Sequence, residues 1–207
     1  MAGYSRRALA RWAAALAPLA RPTPPIPERQ AALLVVDMQR YFAAICAPVV
    51  DAVRHAVDGA HRRGVPVLFT RHGHADPERD GGMLAEWWGD LILEGTSDHE
   101  LLDGLGRLPD DPVVSKRRYS AFWDTPLQPL LDERGVRDLA IAGVMTNLCV
   151  ETTAREAFVR DLRVRVLMDA TATASEEMHL GSLINLAYGF AHVQTVDEWL
   201  DQRSGGR

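Results

Sequence analysis

Short apolar runs alternate with segments of helical periodicity along most of the chain. The apolar runs predict six strands, at residues 31–36, 65–70, 112–115, 138–143, 163–170 and 192–197. Between several of them, apolar residues recur at helical spacing and predict helices at 47–63, 126–134, 146–161 and 175–190. Strands that alternate with helices form a parallel sheet covered on both faces. The pattern therefore predicts an α/β fold of three layers, α/β/α, around a mainly parallel six-stranded sheet.

The beginning of the chain has a different pattern. Four apolar residues are spaced as one stripe of an amphipathic helix: Leu9, Trp12, Leu16 and Leu19. Four prolines follow within residues 21–30 and predict a stiff linker. We therefore divide the chain into a helix and linker at 1–30 and one domain at 31–207. Because the apolar stripe needs a partner surface, it predicts a homodimer or a larger homo-oligomer.

Composition excludes several classes of protein. With 207 residues, of which 47% are hydrophobic and 25% charged, the chain matches a globular domain. A net charge of −5 argues against nucleic acid or an anionic membrane as partner. No apolar run is long enough for a membrane span. Twin arginines before an alanine-rich run are similar to an export signal, but Arg11 interrupts that run, and we predict a cytoplasmic protein.

The use of basic residues is unusual. Of the 23 lysines and arginines, 22 are arginine, and Lys116 is the only lysine in the chain. An arginine-rich composition can leave one lysine by chance. The two side chains differ chemically, however, because a desolvated ammonium can lose its proton and a guanidinium cannot. Lys116 is therefore a candidate for a specific chemical role.

Three reactive side chains follow the ends of predicted strands. Asp37 follows the first strand, Lys116 follows the third, and Cys149 lies at the start of the helix after the fourth. Ligands of parallel sheets bind at the carboxyl ends of the strands, so we expect these residues to converge there. A helix N-terminus and a nearby cation favour the thiolate form of a cysteine. A neighbouring aspartate can take the thiol proton and deliver it to a leaving amine.

Each of these residues also has a structural interpretation. A cysteine is often a small buried apolar residue, an aspartate after a strand often forms a turn, and Lys-Arg-Arg is often a solvated loop. The predicted convergence of Asp37, Lys116 and Cys149 on one edge favours a catalytic interpretation. Cys46 lies on the helix after the first strand, and we interpret it as structural.

Four segments carry a more specific pattern: ALLVVDMQRYF (32–42), SKRRYSAF (115–122), GVMTNLCVETTAREAF (143–158) and DATA (169–172). In their order and spacing they resemble the isochorismatase-like hydrolase superfamily, from about residue 30 onward. The resemblance implies an Asp–Lys–Cys triad that cleaves the C–N bond of a small amide. Asp37 matches the acid and base of that triad, Lys116 its lysine, and Cys149 the nucleophile that forms a thioester.

The same resemblance implies the geometry around the cysteine. In this family a cis peptide bond shortly before the cysteine shapes the oxyanion hole, and here that bond is Val144–Met145. The backbone N–H groups of Met145 and Cys149 are the implied oxyanion donors.

Other features resemble a different branch of the superfamily. RRYSAF, the proline-rich leader and WWGDLI are similar to true isochorismatases, which hydrolyse a vinyl ether without a nucleophilic cysteine. Those enzymes typically have glycine at the position of Cys149 and tyrosine at that of Met145. Vinyl-ether hydrolysis, with Asp37 protonating the vinyl carbon, is therefore the second hypothesis. A non-catalytic partner or docking module is the third. We favour amide hydrolysis because the cysteine is the discriminating residue.

Further residues are candidates for binding a small-molecule substrate: Gln39, Phe42, His72, Trp88, Tyr119 and Trp123. The long segment 71–98 is predicted to be a loop that folds over the site. Arg117 and Arg118 are either a solvated pair or contacts for a substrate carboxylate. Nicotinamidases bind a metal near this region, but the spacing of His72, His74 and Asp76 differs from theirs, and we predict neither a metal nor a cofactor.

Overall fold

Six parallel strands form one sheet in the part of the chain that the computed structural model describes, residues 3–22, 25 and 27–201. The strands are β1 (Ala31–Val36), β2 (Val67–His72), β3 (Val113–Lys116), β4 (Asp138–Val144), β5 (Arg163–Ala172) and β6 (His192–Gln194). The sheet order is β3-β2-β1-β4-β5-β6, and every neighbouring pair is parallel. The predicted α/β class is therefore confirmed, with a sheet that is parallel throughout.

Helices cover both faces of this sheet. Successive side chains of β1 alternate between the two faces, so Leu34 lies in one apolar core and Leu33 in the other. The first core is closed by α1, α6, α7 and α8, and the second by α3 and α9. The helices are α1 (Arg6–Leu16), α2 (Ala43–Cys46), α3 (Val50–Arg62), α4 (Pro77–Asp80), α5 (Gly82–Trp88), α6 (Leu127–Glu133), α7 (Glu151–Val159), α8 (Glu176–Gly189) and α9 (Val196–Asp201).

Some predicted boundaries are wrong. The strand predicted at 65–70 begins at Val67, after Pro66, which has no N–H to donate to a sheet. The strand predicted at 192–197 ends at Gln194, because Thr195 and Glu198 exchange side-chain and backbone hydrogen bonds and start helix α9. That Thr-x-x-Glu pattern is a capping box, a signal present in the sequence.

Two predicted segments also contain more structure than expected. The helix predicted from residue 146 begins as a π-helical turn, Thr146–Val150, and becomes α-helical only at Glu151. The segment 71–98, predicted as a loop, contains the short helices α4 and α5. None of the helices in the described residues is both long and apolar enough to cross a membrane.

The predicted amphipathic helix is present as α1, but its apolar stripe packs against the same chain. Trp12 is 2% exposed and Leu16 is 6% exposed, both within the core that α8 also covers. The stripe therefore already has a partner, and the reason given for expecting a homo-oligomer no longer applies. Oligomerisation stays a prediction without that support. Part of the predicted linker, residues 23, 24 and 26, lies outside the described residues.

The backbones of β1 and β4 approach closely at their carboxyl ends. A Cβ atom on Gly143 would lie 2.1 Å from the carbonyl oxygen of Val36, and Gly143 has φ +109°. Glycine is therefore required at this position. Asp37, which follows Val36, has φ +48° and leaves the strand directly beside the turn that follows β4. The sheet order also reverses at β1 and β4, which is where ligands bind in open α/β sheets.

Candidate active site

The three residues predicted to converge do lie together. The Lys116 Nζ atom is 2.7 Å from Asp37 Oδ2 and 3.3 Å from Cys149 Sγ. All three residues are buried, with exposed fractions of 0% for Asp37, 2% for Lys116 and 7% for Cys149. The ammonium of Lys116 thus joins a carboxylate and a thiol that come from different strand ends.

Further contacts fix the carboxylate and the ammonium. The Thr70 hydroxyl, from β2, donates a 2.6 Å hydrogen bond to Asp37 Oδ1 and accepts the backbone N–H of Asp37 at 3.1 Å. Lys116 Nζ also donates to the carbonyl of Arg118 at 2.9 Å. Asp37 Oδ2 faces the ammonium and has no other hydrogen-bond partner among the described residues. It is therefore the oxygen available to take a proton.

Thr70 was not predicted, although a signal for it was present. It is the last residue of the strand predicted at 65–70, so the strand-end reasoning that selected Asp37 and Lys116 applies to it as well.

Burial and neighbouring charges act in opposite directions on the pKa values of the lysine and the cysteine. Burial alone lowers the pKa of the Lys116 ammonium, but the adjacent Asp37 carboxylate and Cys149 sulfur raise that pKa above its ordinary value. Burial raises the pKa of the Cys149 thiol to about 12, although Lys116 opposes the shift. Burial therefore acts against the resting thiolate that the helix N-terminus and the cation were expected to favour.

We expect the alkylation of Cys149 by iodoacetamide to accelerate steadily between pH 7 and pH 10. Only the thiolate reacts, and a thiol whose pKa is raised to about 12 gains about tenfold in thiolate per pH unit in this range. The rate is measured by mass spectrometry on the peptide that contains Cys149. A small-molecule thiol of ordinary pKa provides the control and levels off near pH 9. A plateau for Cys149 below pH 8 would contradict the raised pKa.

The turn that carries Cys149 begins at a cis peptide bond. Val144–Met145 is cis, as the family resemblance implied. The Met145 carbonyl then accepts the backbone N–H groups of Leu148 at 3.0 Å and Val150 at 3.2 Å. These bonds close the turn around Cys149 at the entrance to α7.

A cavity of about 540 Å³ opens at Cys149. Four of the predicted substrate contacts line it: Phe42, His72, Trp88 and Tyr119. The indole N–H of Trp88, on α5, donates to the Tyr119 hydroxyl at 2.8 Å and closes one wall. Tyr41 and Asp90, which the sequence did not single out, also line the cavity and are joined by a 3.0 Å hydrogen bond.

Two predicted substrate contacts lie elsewhere. The side-chain amide of Gln39 is buried, donates to the carbonyls of His72 and His99, and accepts the N–H of His72. Gln39 therefore holds the backbone of His72, and it does not line the cavity. Trp123 is 47% exposed, lies outside the cavity lining, and packs under the guanidinium of Arg118.

The two arginines after Lys116 have partners within the protein. Arg117 pairs with Asp124 at 2.9 Å, and Arg118 donates to the backbone carbonyls of Asp80 and Arg117. Neither arginine lines the cavity, so the structure offers no support for the alternative that they bind a substrate carboxylate.

The titratable side chains of the segment after β2 take part in separate contacts. His74 pairs through Nδ1 with Asp80, and Asp76 lies beside Arg79 on the surface. Burial, reinforced by Lys116, lowers the pKa of His72 to about 3, so this imidazole is neutral. Within residues 3–22, 25 and 27–201, no three His, Cys, Asp or Glu side chains are arranged to hold a metal ion.

The parallel sheet, with a cysteine in the wall of a cavity at its carboxyl edge, is an arrangement suited to a cysteine hydrolase built on a three-layer α/β/α fold. Residues 31–198 match the family model described as Isochorismatase domain. The chain therefore belongs to the isochorismatase family.

Named relatives identify the class of reaction. Nicotinamidase 3 of Arabidopsis thaliana is 48% identical over 171 residues, which cover 81% of this chain and 86% of that protein. Ureidoacrylate amidohydrolase RutB of Enterobacter sp. (strain 638) is 32% identical over 204 residues, with 84% and 89% covered. The chain is an amidohydrolase of the isochorismatase family.

Solved structures agree with the fold and the class. A cysteine hydrolase from Pseudomonas syringae pv. phaseolicola 1448A superposes with a TM-score of 0.84 at 27% identity, over 88% of this chain and 97% of that one. N-carbamoylsarcosine amidase from Thermoplasma acidophilum superposes with a TM-score of 0.71 at 26% identity, over 81% and 97%.

Proposed function

We propose that this amidohydrolase works through an Asp37–Lys116–Cys149 triad and a covalent thioester. The observation that carries the proposal is the position of Lys116 Nζ, which contacts both the Asp37 carboxylate and the Cys149 sulfur beside the cavity. The same arrangement argues against a non-catalytic module. A buried ion pair costs desolvation energy and is weak evidence for stability, so its place beside a nucleophile favours a chemical role.

In the first half of the reaction the cysteine is acylated. The thiol proton moves to Asp37 Oδ2 as the sulfur attacks the amide carbonyl carbon. The backbone N–H groups of Met145 and Cys149 stabilise the oxyanion that forms. The C–N bond then breaks, Asp37 returns the proton to the leaving nitrogen, and ammonia or an amine leaves behind a thioester.

In the second half the thioester is hydrolysed. Asp37 takes a proton from a water molecule, whose oxygen attacks the thioester carbonyl. The C–S bond breaks, and Asp37 returns the proton to the sulfur. The carboxylic acid product leaves, and the neutral thiol of Cys149 is restored. Lys116 keeps its charge throughout and stabilises whichever of its two neighbours is anionic.

The lining of the cavity favours an uncharged, planar amide. Phe42, Trp88 and Tyr119 supply aromatic surface, and His72 is neutral. Asp90 is the charged side chain of the lining, and it is negative. A substrate that carries a carboxylate would therefore meet repulsion from Asp90 and no cationic side chain among the described residues that line the cavity. Among the substrates named for the relatives, nicotinamide fits this lining better than ureidoacrylate.

We expect nicotinamide to be hydrolysed with a kcat/KM at least about a hundredfold above that of ureidoacrylate. A carboxylate transferred into an apolar wall near Asp90 without a counterion loses several kcal/mol of hydration, which corresponds to this ratio or more. Ammonia release is measured for nicotinamide, ureidoacrylate and N-carbamoylsarcosine, and pyruvate release is measured for isochorismate, which contains no nitrogen.

The control for this panel is Asp90→Asn, which removes the charge and keeps the shape. This substitution should reduce the difference in kcat/KM between nicotinamide and ureidoacrylate. Faster turnover of ureidoacrylate than of nicotinamide would reject the substrate assignment and leave the triad untouched. Turnover of isochorismate alone would favour the vinyl-ether hypothesis.

A further inference from the structure

The N-terminal segment, residues 3–16, ends with helix α1 and lies outside the part of the chain that matches the family model, residues 31–198. It nevertheless packs aromatic rings around one buried histidine of α8. The ring centroid of His179 lies 4.5 Å from that of Trp12 and 5.7 Å from that of Tyr4. His179 is 2% exposed, so α1 and the residues before it form one wall of its environment.

His179 connects this wall to the turn that carries Cys149. Its Nδ1 atom lies 2.9 Å from the hydroxyl of Thr146, which is wholly buried and is the first residue of that turn. The Ser182 hydroxyl, one helical turn further along α8, lies 3.1 Å from the Thr146 carbonyl and also contacts the Glu151 carboxylate. Helix α8 therefore holds both the side chain and the backbone of Thr146.

Helix α1 is itself anchored to α8 and to the sheet. The indole N–H of Trp12 donates to Glu176 at 2.7 Å. The Tyr4 hydroxyl donates to the carbonyl of Thr171 at 3.0 Å, and Thr171 is paired in the sheet with Gly143, the residue directly before Val144–Met145. The N-terminal segment thus reaches the catalytic turn by two routes, one through His179 and one through β5.

We propose that α1 is a positioning element for the catalytic turn, in which Trp12 fixes His179 and His179 fixes Thr146. This inference rests on the proposed function, because it assumes that the turn bears the nucleophile and the oxyanion donors. Neither Trp12 nor His179 touches the cavity lined by Cys149. They act by holding the N–H groups of Met145 and Cys149 in the geometry that the transition state requires.

A positioning role has a specific kinetic signature. The aromatic surface proposed to bind substrate comes from Phe42, Trp88 and Tyr119. The ring contacts around His179 involve Tyr4 and Trp12 and none of these three residues. Displacing the turn should therefore lower kcat while KM changes little. A purely structural helix would instead lower the melting temperature and leave the kcat of the folded enzyme unchanged.

The test is a double-mutant cycle on the full chain, with Trp12→Ala, Thr146→Val and the double variant. We expect each single change to lower kcat on the preferred amide about tenfold, because small displacements of a catalytic group cost one to two orders of magnitude. If both substitutions act through His179, the kcat of the double variant should lie within about twofold of the kcat of the slower single variant. Thr146→Ser keeps the hydroxyl and should recover most of the loss.

The matched control is Leu9→Ala, on the same helix. Leu9 is half-buried and packs against the same core, but it takes no part in the rings around His179. It should lower the melting temperature and leave kcat unchanged. If Trp12→Ala lowers only the melting temperature, as Leu9→Ala does, the positioning role is rejected. It is also rejected if kcat of the double variant falls by the product of the two single reductions. Should Trp12→Ala fail to fold, Trp12→Leu replaces it in the cycle.

A measurement without substrate separates this inference from the proposed function. Hydrogen exchange of the backbone amides in residues 145–150 should accelerate in Trp12→Ala and in Thr146→Val, and not in Leu9→Ala. If the wild type hydrolyses no amide, the proposed function fails, while the exchange result still decides whether α1 holds the turn. Unchanged exchange in both variants would overturn the inference even in an active enzyme.

Discussion

Cys149→Ala is expected to abolish amide hydrolysis and to leave the protein folded. The substitution removes the atom that forms the thioester, so turnover should fall by at least about four orders of magnitude, the scale seen when a nucleophile is deleted. The side chain is small and buried, and its loss should change the free energy of unfolding by only about 1 kcal/mol. Ammonia release at saturating substrate measures the first effect, and thermal unfolding measures the second.

The second cysteine of the chain provides a matched control. Cys46 is also buried and also has a pKa raised to about 12, chiefly by burial, but it lies on α2 outside the cavity lining. Cys46→Ala should cost similar stability and keep kcat within about threefold, because it removes no group that meets the substrate. Turnover by Cys149→Ala above one hundredth of the wild-type rate would exclude Cys149 as the nucleophile.

Lys116→Arg is expected to lower turnover at least about a hundredfold, although it preserves the positive charge. The ammonium lies among three acceptors: Asp37 Oδ2 at 2.7 Å, Cys149 Sγ at 3.3 Å and the Arg118 carbonyl at 2.9 Å. An ammonium can direct its donors to all three, whereas a planar guanidinium is larger and holds its donors in a fixed fork. The side chain is wholly buried, so the larger group has no solvent-filled space to enter.

The reverse exchange at the next position is the control for Lys116→Arg. Arg117 has a side chain that is 42% exposed and pairs with Asp124. Arg117→Lys should leave both turnover and stability close to those of the wild type, because exposed ion pairs contribute little. If Lys116→Arg is as active as Arg117→Lys, Lys116 has no catalytic role, and the triad assignment is wrong.

The sequence was sufficient to predict the convergence of Asp37, Lys116 and Cys149. The reason is topological, since parallel strands that leave a sheet in the same direction bring their following residues to one edge. Gly143 contributes to the same convergence by allowing β1 and β4 to approach, but the need for glycine there depends on a contact with Val36 that a single sequence does not reveal.

Properties that depend on burial were predicted less well. A cation beside a thiol suggested a thiolate, whereas the burial of Cys149 raises the pKa of that thiol. Gln39 and Trp123 lie close in sequence to residues of the site, but their side chains contact other groups. The apolar stripe of α1 likewise indicated a buried face and could not distinguish burial within one chain from burial between two.

The environment of Lys116 has a consequence for handling the protein. This residue is the only lysine of the chain, and its side chain is 0% exposed. The exterior therefore presents no lysine to amine-directed reagents such as succinimidyl esters or aldehydes. Amine-directed coupling therefore leaves the side chains of these 207 residues unmodified, including those at the sheet edge that carries Lys116.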